Sequence, residues 1–489
     1  MFELKKTTVF FFFSILILLF AQGVNASTVT MEAIPDYELS KVHGIASPME
    51  NLSDEELGEV DGQALMSLSY IAPSDSNNLE NNVNGIKNIG FYKLGLEAQL
   101  ELNANIKKLQ LGCGGVNGAG GCDIDMDNVS LSGLKLDSSG NPLPMTREER
   151  ASSSAQLTNP FIEFAIKNPN SASQREVVGL RVGSELAKGL LTIGQNDGTI
   201  NGINSLSGYM NIAPTDGKTK TAVGQMREVF TGKVNIGGCI LGCPAKFTTD
   251  TKPIQIDGMD VNFTTKSTDL NGSRKSFINV GAIAKVPDIV LTENSGTRKA
   301  DISGCFVVLI IPLCNYAIND MRIDGKISNL YVDVNLTQAL GLIHSIPVQS
   351  PLSLSLQYQN ILWPNAPKSP VTNQYITAQR GWWLAASDPI KLGALETQAG
   401  FAADISTAYP QVATIVSNYL DRYPLSVPFG DAVGSLFTSK LVAKLGTIDL
   451  NSYTNPSVGG TPISVQLNNL PLGAVQNVTP NCYGSLKFC

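Results

Sequence analysis

Asp123, Asp125 and Asp127 stand at i, i+2 and i+4, the spacing at which a β-strand turns three carboxylates to one face. The pattern copies the opening of a calcium-binding loop. Its remainder does not follow, because position six is Asn128, where a glycine belongs, and position twelve is Leu134, where a bidentate glutamate belongs. A solvated strand face is the expected reading. Histidine chemistry is scarcer still. The chain has two histidines, His43 and His344, so a Ser-His-Asp triad would rest on His344 alone, which reads as structural. The HExxH, GxxxxGK[ST] and GxSxG patterns are absent. Trp382-Trp383 offers an indole for stacking on a sugar ring, but adjacent strand residues face opposite ways, so one can serve while the other packs inward. No catalytic residue, cofactor or metal-ligand set is expected.

The remaining reactive residues are cysteines. Cys113 and Cys122, Cys239 and Cys243, Cys305 and Cys314, and Cys482 and Cys489 form four local couples, with eight, three, eight and six residues between partners. These gaps do not repeat a zinc-binding CxxC spacing, and histidine ligands are lacking. An even count in an exported chain reads as disulfides, with pairing inside each couple the simplest connectivity. The glycines between Cys113 and Cys122 then give a stapled loop its freedom.

Export itself is written at the N-terminus. Lys5 and Lys6 precede an apolar run from Val9 to Phe20, and Val24-Asn25-Ala26 supplies small residues for cleavage before Ser27. Such a run is short for a bilayer core of about 30 Å, and no later stretch is long and apolar enough to span one. Residues 1–26 are therefore expected to be a signal peptide, with the mature chain in the periplasm, at the outer-membrane surface or outside the cell.

Charge separates the next segment from the rest. Residues 27–63 hold nine acidic residues against one lysine, a net of −8 in a chain of −7 overall. With +1 on the signal peptide, residues 64–489 come out neutral, and a neutral body lacks the electrostatic footprint of a nucleic-acid binder. Within the acidic segment, Ser53 and Glu56 form a capping box that starts a short helix, with Leu52, Leu57 and Val60 as its apolar stripe and Gly62 as its stop.

Leu52-Ser53, Glu56-Leu57, Val60 and Gly62 fall in register with the double-glycine leader that C39-type cysteine peptidases recognise, and the segment resembles it. Gln63 stands where the second glycine of such a leader would be. The resemblance implies processing at Gly62 and Gln63 by a C39-type peptidase. Continued into Gln63-Ala64-Leu65-Met66, the same stretch resembles the start of a group of gammaproteobacterial envelope proteins, some of them components of the Fil pilus system, which includes a C39-family peptidase. Gly381-Trp382-Trp383 and Asn481-Cys482-Tyr483-Gly484 extend the likeness more loosely. It implies a surface-assembly context, with envelope or pilus-system proteins or further copies of the chain as partners, and supplies no catalytic residues.

The elements that carry these residues are strands. From Leu94 to Ile106 apolar and polar residues alternate, and the phase flips at Lys107-Lys108, where a bulge is expected. Leu352, Leu354, Leu356 and Tyr358 alternate in the same way. Four segments pair an apolar strand end with a returning strand broken at Asp127-Asn128, Asn201-Gly202, Asp257-Gly258 or Asp324-Gly325, which reads as a repeat of hairpins. Past residue 400, Pro410 opens a helix with Val412, Ile415, Val416, Tyr419, Leu420 and Tyr423 at helical spacing. A second helix is expected from near Asp431, with Leu441 and Leu445 inward and Gly446 as its stop. The fold expected is mainly β, an elongated antiparallel sheet of long hairpins over residues 64–400, with a smaller α+β region over 401–489. The function expected is that of a non-catalytic cell-surface structural or adhesive component. An outer-membrane β-barrel and a carbohydrate-binding or carbohydrate-acting envelope protein stand as the alternatives.

Overall fold

The computed structural model describes residues 66–82, 88–138, 142–194, 202–237, 244–291, 298–308, 311–468, 470, 472–475 and 481. The chain divides between Gln63 and Ala64, and all of these residues belong to the second unit. The export signal, the acidic segment, Gly62, Gln63, Cys239, Cys243, Cys482 and Cys489 lie outside the described residues.

The described chain is mainly β, with a small helical region toward the C-terminus. Where strands are covered on one side, the period of two is plain. Phe277–Val286 and Thr231–Ile236 alternate buried and open positions along most of their length. Twelve strands form the largest sheet. We label ten of them: β1 (Met66–Ile71), β2 (Ile89–Leu96), β3 (Gln99–Leu102), β4 (Ala104–Leu111), β5 (Ile124–Ser132), β6 (Ala155–Lys167), β7 (Glu176–Thr192), β8 (Ile203–Ile212), β9 (Leu352–Gln357) and β10 (Gly381–Ala386). Its order is β1-β2-β6-β7-β9-β10-β8-β5-β4, and β5 also pairs with β7. The pairing thus returns on itself through β7, β9, β10, β8 and β5.

The alternating run from Leu94 to Ile106 is divided among β2, β3 and β4. Ala98 N–H donates to the Leu96 carbonyl (2.8 Å) at the first break. At the second, the Asn103 side chain leaves the sheet to donate to the Arg150 carbonyl (2.8 Å). The bulge expected at Lys107-Lys108 is not an inserted residue. β4 and β5 keep one antiparallel register from Ala104↔Leu131 to Leu111↔Ile124, and the irregularity is Asn128, whose φ of 51° interrupts the ladder opposite Lys107.

Two of the four expected hairpins pair internally, β4 with β5 and Arg298–Val308 with Ile311–Ser328. In the second segment β7 and β8 each pair with β5 rather than with one another. In the third, Thr231–Ile236 pairs with Pro244–Thr249, while Ile254–Ile256 pairs with Gly224–Met226.

Helix α1 (Tyr409–Arg422) has Pro410 in its first turn and buries Val412, Val416 and Leu420. Helix α2 (Phe429–Thr438) stops earlier than its sequence implied. Ser439 takes a left-handed conformation (φ 52°), and Lys440–Asp449 becomes a strand parallel to Ile311–Ser328. Leu441 is buried from that strand, and Gly446 sits at a register shift rather than at a helix end. Leu425–Val427 and Ile463–Asn468 also join earlier strands in parallel, so the C-terminal strands extend two seven-stranded sheets.

Candidate functional site

The residues singled out by chemistry are widely placed. Asp125 and Asp127 do share a face of β5, and Lys108 Nζ occupies the space between them, 2.5 Å from Asp125 Oδ1 and 2.8 Å from Asp127 Oδ1. Asn204 donates to both carboxylates. Burial pushes the Asp125 carboxyl up, but the hydrogen bonds from Lys108, Gln110 and Asn204 outweigh it and hold the group below the ordinary range. Asp123 points elsewhere. Its buried carboxylate accepts from the Trp382 N–H (3.1 Å) and from Asn117 Nδ2 (3.0 Å). A Cβ on Gly112 (φ 66°) or Gly381 (φ 102°) would fall 2.3 or 2.6 Å from its Oδ2, so both glycines are required by close approach as well as by φ. The Cys113–Cys122 disulfide (S–S 2.06 Å) closes the same loop, and Asp123 thereby ties a stapled tip to β10. Cys314 is disulfide-bonded, and the strand register sets Cys305 opposite it. His344 bonds the Ile193 carbonyl through Nδ1 (2.7 Å).

Lys108→Met tests the first cluster. A depressed carboxyl stabilises the fold above the ordinary Asp range and loses that contribution as pH falls through its own pKa. Lys108 is partly exposed, so the loss at neutral pH should be below about 1 kcal/mol. The acid limb of stability against pH should flatten, and an unchanged limb in chemical denaturation would sink this account.

A larger feature was not anticipated. Across β1, β2, β6, β7, β9 and β10 the register lines up Leu68, Leu94, Ile162, Val182, Leu354 and Leu384 in one cross-strand row. A second row runs Tyr70, Tyr92, Phe164, Leu180, Leu356 and Trp382. Both rows lie on the same face. Leu68 is 76% exposed, and Tyr70, Leu94, Phe164, Val182 and Leu356 are also exposed. At its far end the face turns in, and Leu354, Leu384 and Trp382 pack against the main core. Among the described residues β1 pairs with β2 alone, so its outer edge is open.

The opposite face of the same strands carries the reverse chemistry. One row there reads Ser69, Lys93, Glu163, Arg181, Ser355 and Trp383. Residues 358–380 cross over part of it as a roof. Glu80 accepts from the Leu362 N–H, Arg181 Nη2 donates to the Pro364 carbonyl (2.9 Å), and Ser369 bonds Asp269. Where roof and sheet meet, Trp363, Ile361 and Ile376 of the roof join Phe91 and Trp383 of the sheet in a second, smaller core. Between roof and sheet a cleft of about 340 Å³ remains, floored by Phe161, Glu163 and Arg181, with Lys93 and Glu185 at its side. Arg181 and Glu163 are a buried ion pair, with Nε 2.8 Å from Oε2. Burial pushes the Glu163 carboxyl above the ordinary range and the Arg181 guanidinium below its own, while their attraction acts against both. Lys93 pairs with Glu185, and its ammonium stands 4.7 Å from the Phe161 ring centre.

The fold and site define a mainly β protein whose principal sheet leaves an apolar face partly exposed and covers a face that combines a small apolar core with a buried ion pair. Comparison with protein-family models, curated proteins and solved structures gives no match.

Proposed function

We propose that this protein is an exported, non-catalytic surface component, built into an envelope assembly by accepting a neighbouring subunit's strand at β1. The observation that carries the reading is the pair of apolar rows that run across six strands and end at β1, whose outer edge is unpaired among the described residues. A soluble chain gains nothing from that arrangement alone, because exposed apolar rows beside a free edge invite pairing. Strand addition there would satisfy the edge backbone and continue both rows into the partner. Lys5, Lys6, the run Val9–Phe20 and the likeness to Fil-system envelope proteins support the exported setting. A lipid-facing barrel is the competing use of an apolar outer face. β1, β9 and β10 are six residues each, short of the 9–11 that a strand needs to cross a bilayer.

Leu68→Glu tests the reading. The side chain is exposed, so melting should not change. Sedimentation of the purified mature protein should show concentration-dependent association, weakened roughly tenfold or more in the variant. A wild-type protein that stays monomeric, with surface assembly and attachment intact in a deletion strain, would refute the role. Migration on a gel that changes on heating would replace it with the barrel.

A further inference from the structure

We infer that the cleft beneath the roof is a binding site for a neutral, polyhydroxylated ligand, a saccharide of one or two residues. Its size falls in the range of small-molecule sites, roughly 300–1,000 Å³. The cleft is self-neutral. Lys93 and Arg181 are matched by Glu185 and Glu163, so a ligand with net charge would have to break a pair or leave one of its own charges uncompensated.

Hydrogen-bonding capacity, by contrast, is left over. The hydroxyls of Ser69, Ser184, Ser353 and Ser387 and the side-chain amide of Asn365 line the cleft and make no hydrogen bond among the described residues. Ser184 is 3% exposed, and its hydroxyl lies in the cleft lining, where a ligand hydroxyl can take the place of water. Sugar hydroxyls donate and accept as serine hydroxyls do, and so suit groups that can play either part. Pro351, Pro364 and Pro367 supply apolar wall for the C–H faces of a pyranose. The cleft opens on the face opposite the apolar rows; Ser69 and Ile71 of β1 line it, but a sugar titration and an association measurement read the two proposals separately.

Titration of the full mature chain with maltose, N,N′-diacetylchitobiose and lactose, followed by calorimetry and saturation-transfer NMR, tests the assignment. At least one should bind saturably, and more tightly than glucuronate or glucosamine. Ser353→Phe should fill the cleft and cut affinity roughly tenfold or more. Ser184→Ala guards against misfolding, because it removes an unpartnered hydroxyl. It should keep or raise the melting temperature while lowering affinity several-fold. Absence of binding by all three neutral sugars at millimolar concentration, tighter binding of a charged comparator, or wild-type affinity in both variants would overturn the assignment.

Discussion

Arg181→Met should cost about 3–5 kcal/mol, among the largest single-residue losses in the molecule, because it strands a buried carboxylate. Glu163 is almost fully enclosed and takes two hydrogen bonds from the guanidinium. The same guanidinium holds the Pro364 carbonyl and lies 5.0 Å from the Trp363 ring centre and 5.3 Å from that of Phe161. Methionine would replace much of the packing and none of the charge. A double replacement, Arg181→Met with Glu163→Gln, should recover much of the loss, since no unpaired charge remains. The deficit should also depend on pH. Burial already favours the protonated carboxyl in the fold, and removing Arg181 strengthens that preference. A carboxyl whose folded pKa is raised stabilises below its ordinary range and loses that contribution as pH rises through its folded pKa. The single variant should therefore be worst at neutral pH and approach the wild type in acid. Denaturant melts across pH would check this. A deficit below about 1 kcal/mol, or one that is flat with pH, would show that the ladder is not held by this pair.

Trp383→Ala should fall in a similar range, about 3–5 kcal/mol, through a different cause. The indole is 2% exposed and lies among Phe91, Tyr209, Ile361 and Trp363, where the roof meets the sheet. Its removal leaves a void that strand and roof cannot both close. Trp382→Ala should cost clearly less, because that indole is only partly buried on the other face of β10. Thermal and chemical melts of the two variants, compared side by side, check the prediction. Equal losses would mean that the two faces of β10 are equally load-sharing. The roof should loosen in Trp383→Ala, with faster amide exchange over residues 358–380.

These two residues also show how far the sequence could be read. That one of Trp382 and Trp383 faces inward follows from strand geometry, and the inward one is Trp383. Which side of the sheet would be covered does not follow. Alternation in Leu94, Leu96 and Leu100 says that two faces differ, and the usual inference puts the apolar one inside. Here Leu94 and Leu100 are exposed, because the roof comes from residues more than 250 positions further along and lands on the charged face. The ladder Lys93, Glu163 and Arg181 is likewise assembled from three separate strands, and no local spacing announces it. Past residue 400, the helical period ran on through Leu441 and Leu445. The left-handed Ser439 and the strand Ile311–Ser328, which takes Lys440–Asp449 as a parallel neighbour, decided the matter instead. The Cys113–Cys122 couple and the β class were legible because each depends on neighbours in sequence.

The self-closing path through β7, β9, β10, β8 and β5 bears on how the chain acquires its fold. β5 is complete by Ser132 and β8 by Ile212, but β9 and β10 are not made until Gln357 and Ala386. Most of the two seven-stranded sheets lies in the sequence between. A chain emerging N-terminus first must hold several unpaired strand edges while some 140 residues are still to come. Pairings this distant in sequence are slow to form, because loop-closure entropy is lost before they return any stability. The pairings that complete the ring, β10 with β8 and with β9, use its last strands in sequence and act as a latch. Until it shuts, every earlier strand of the ring is a template for misassembly, and the nascent chain depends on whatever keeps those edges apart.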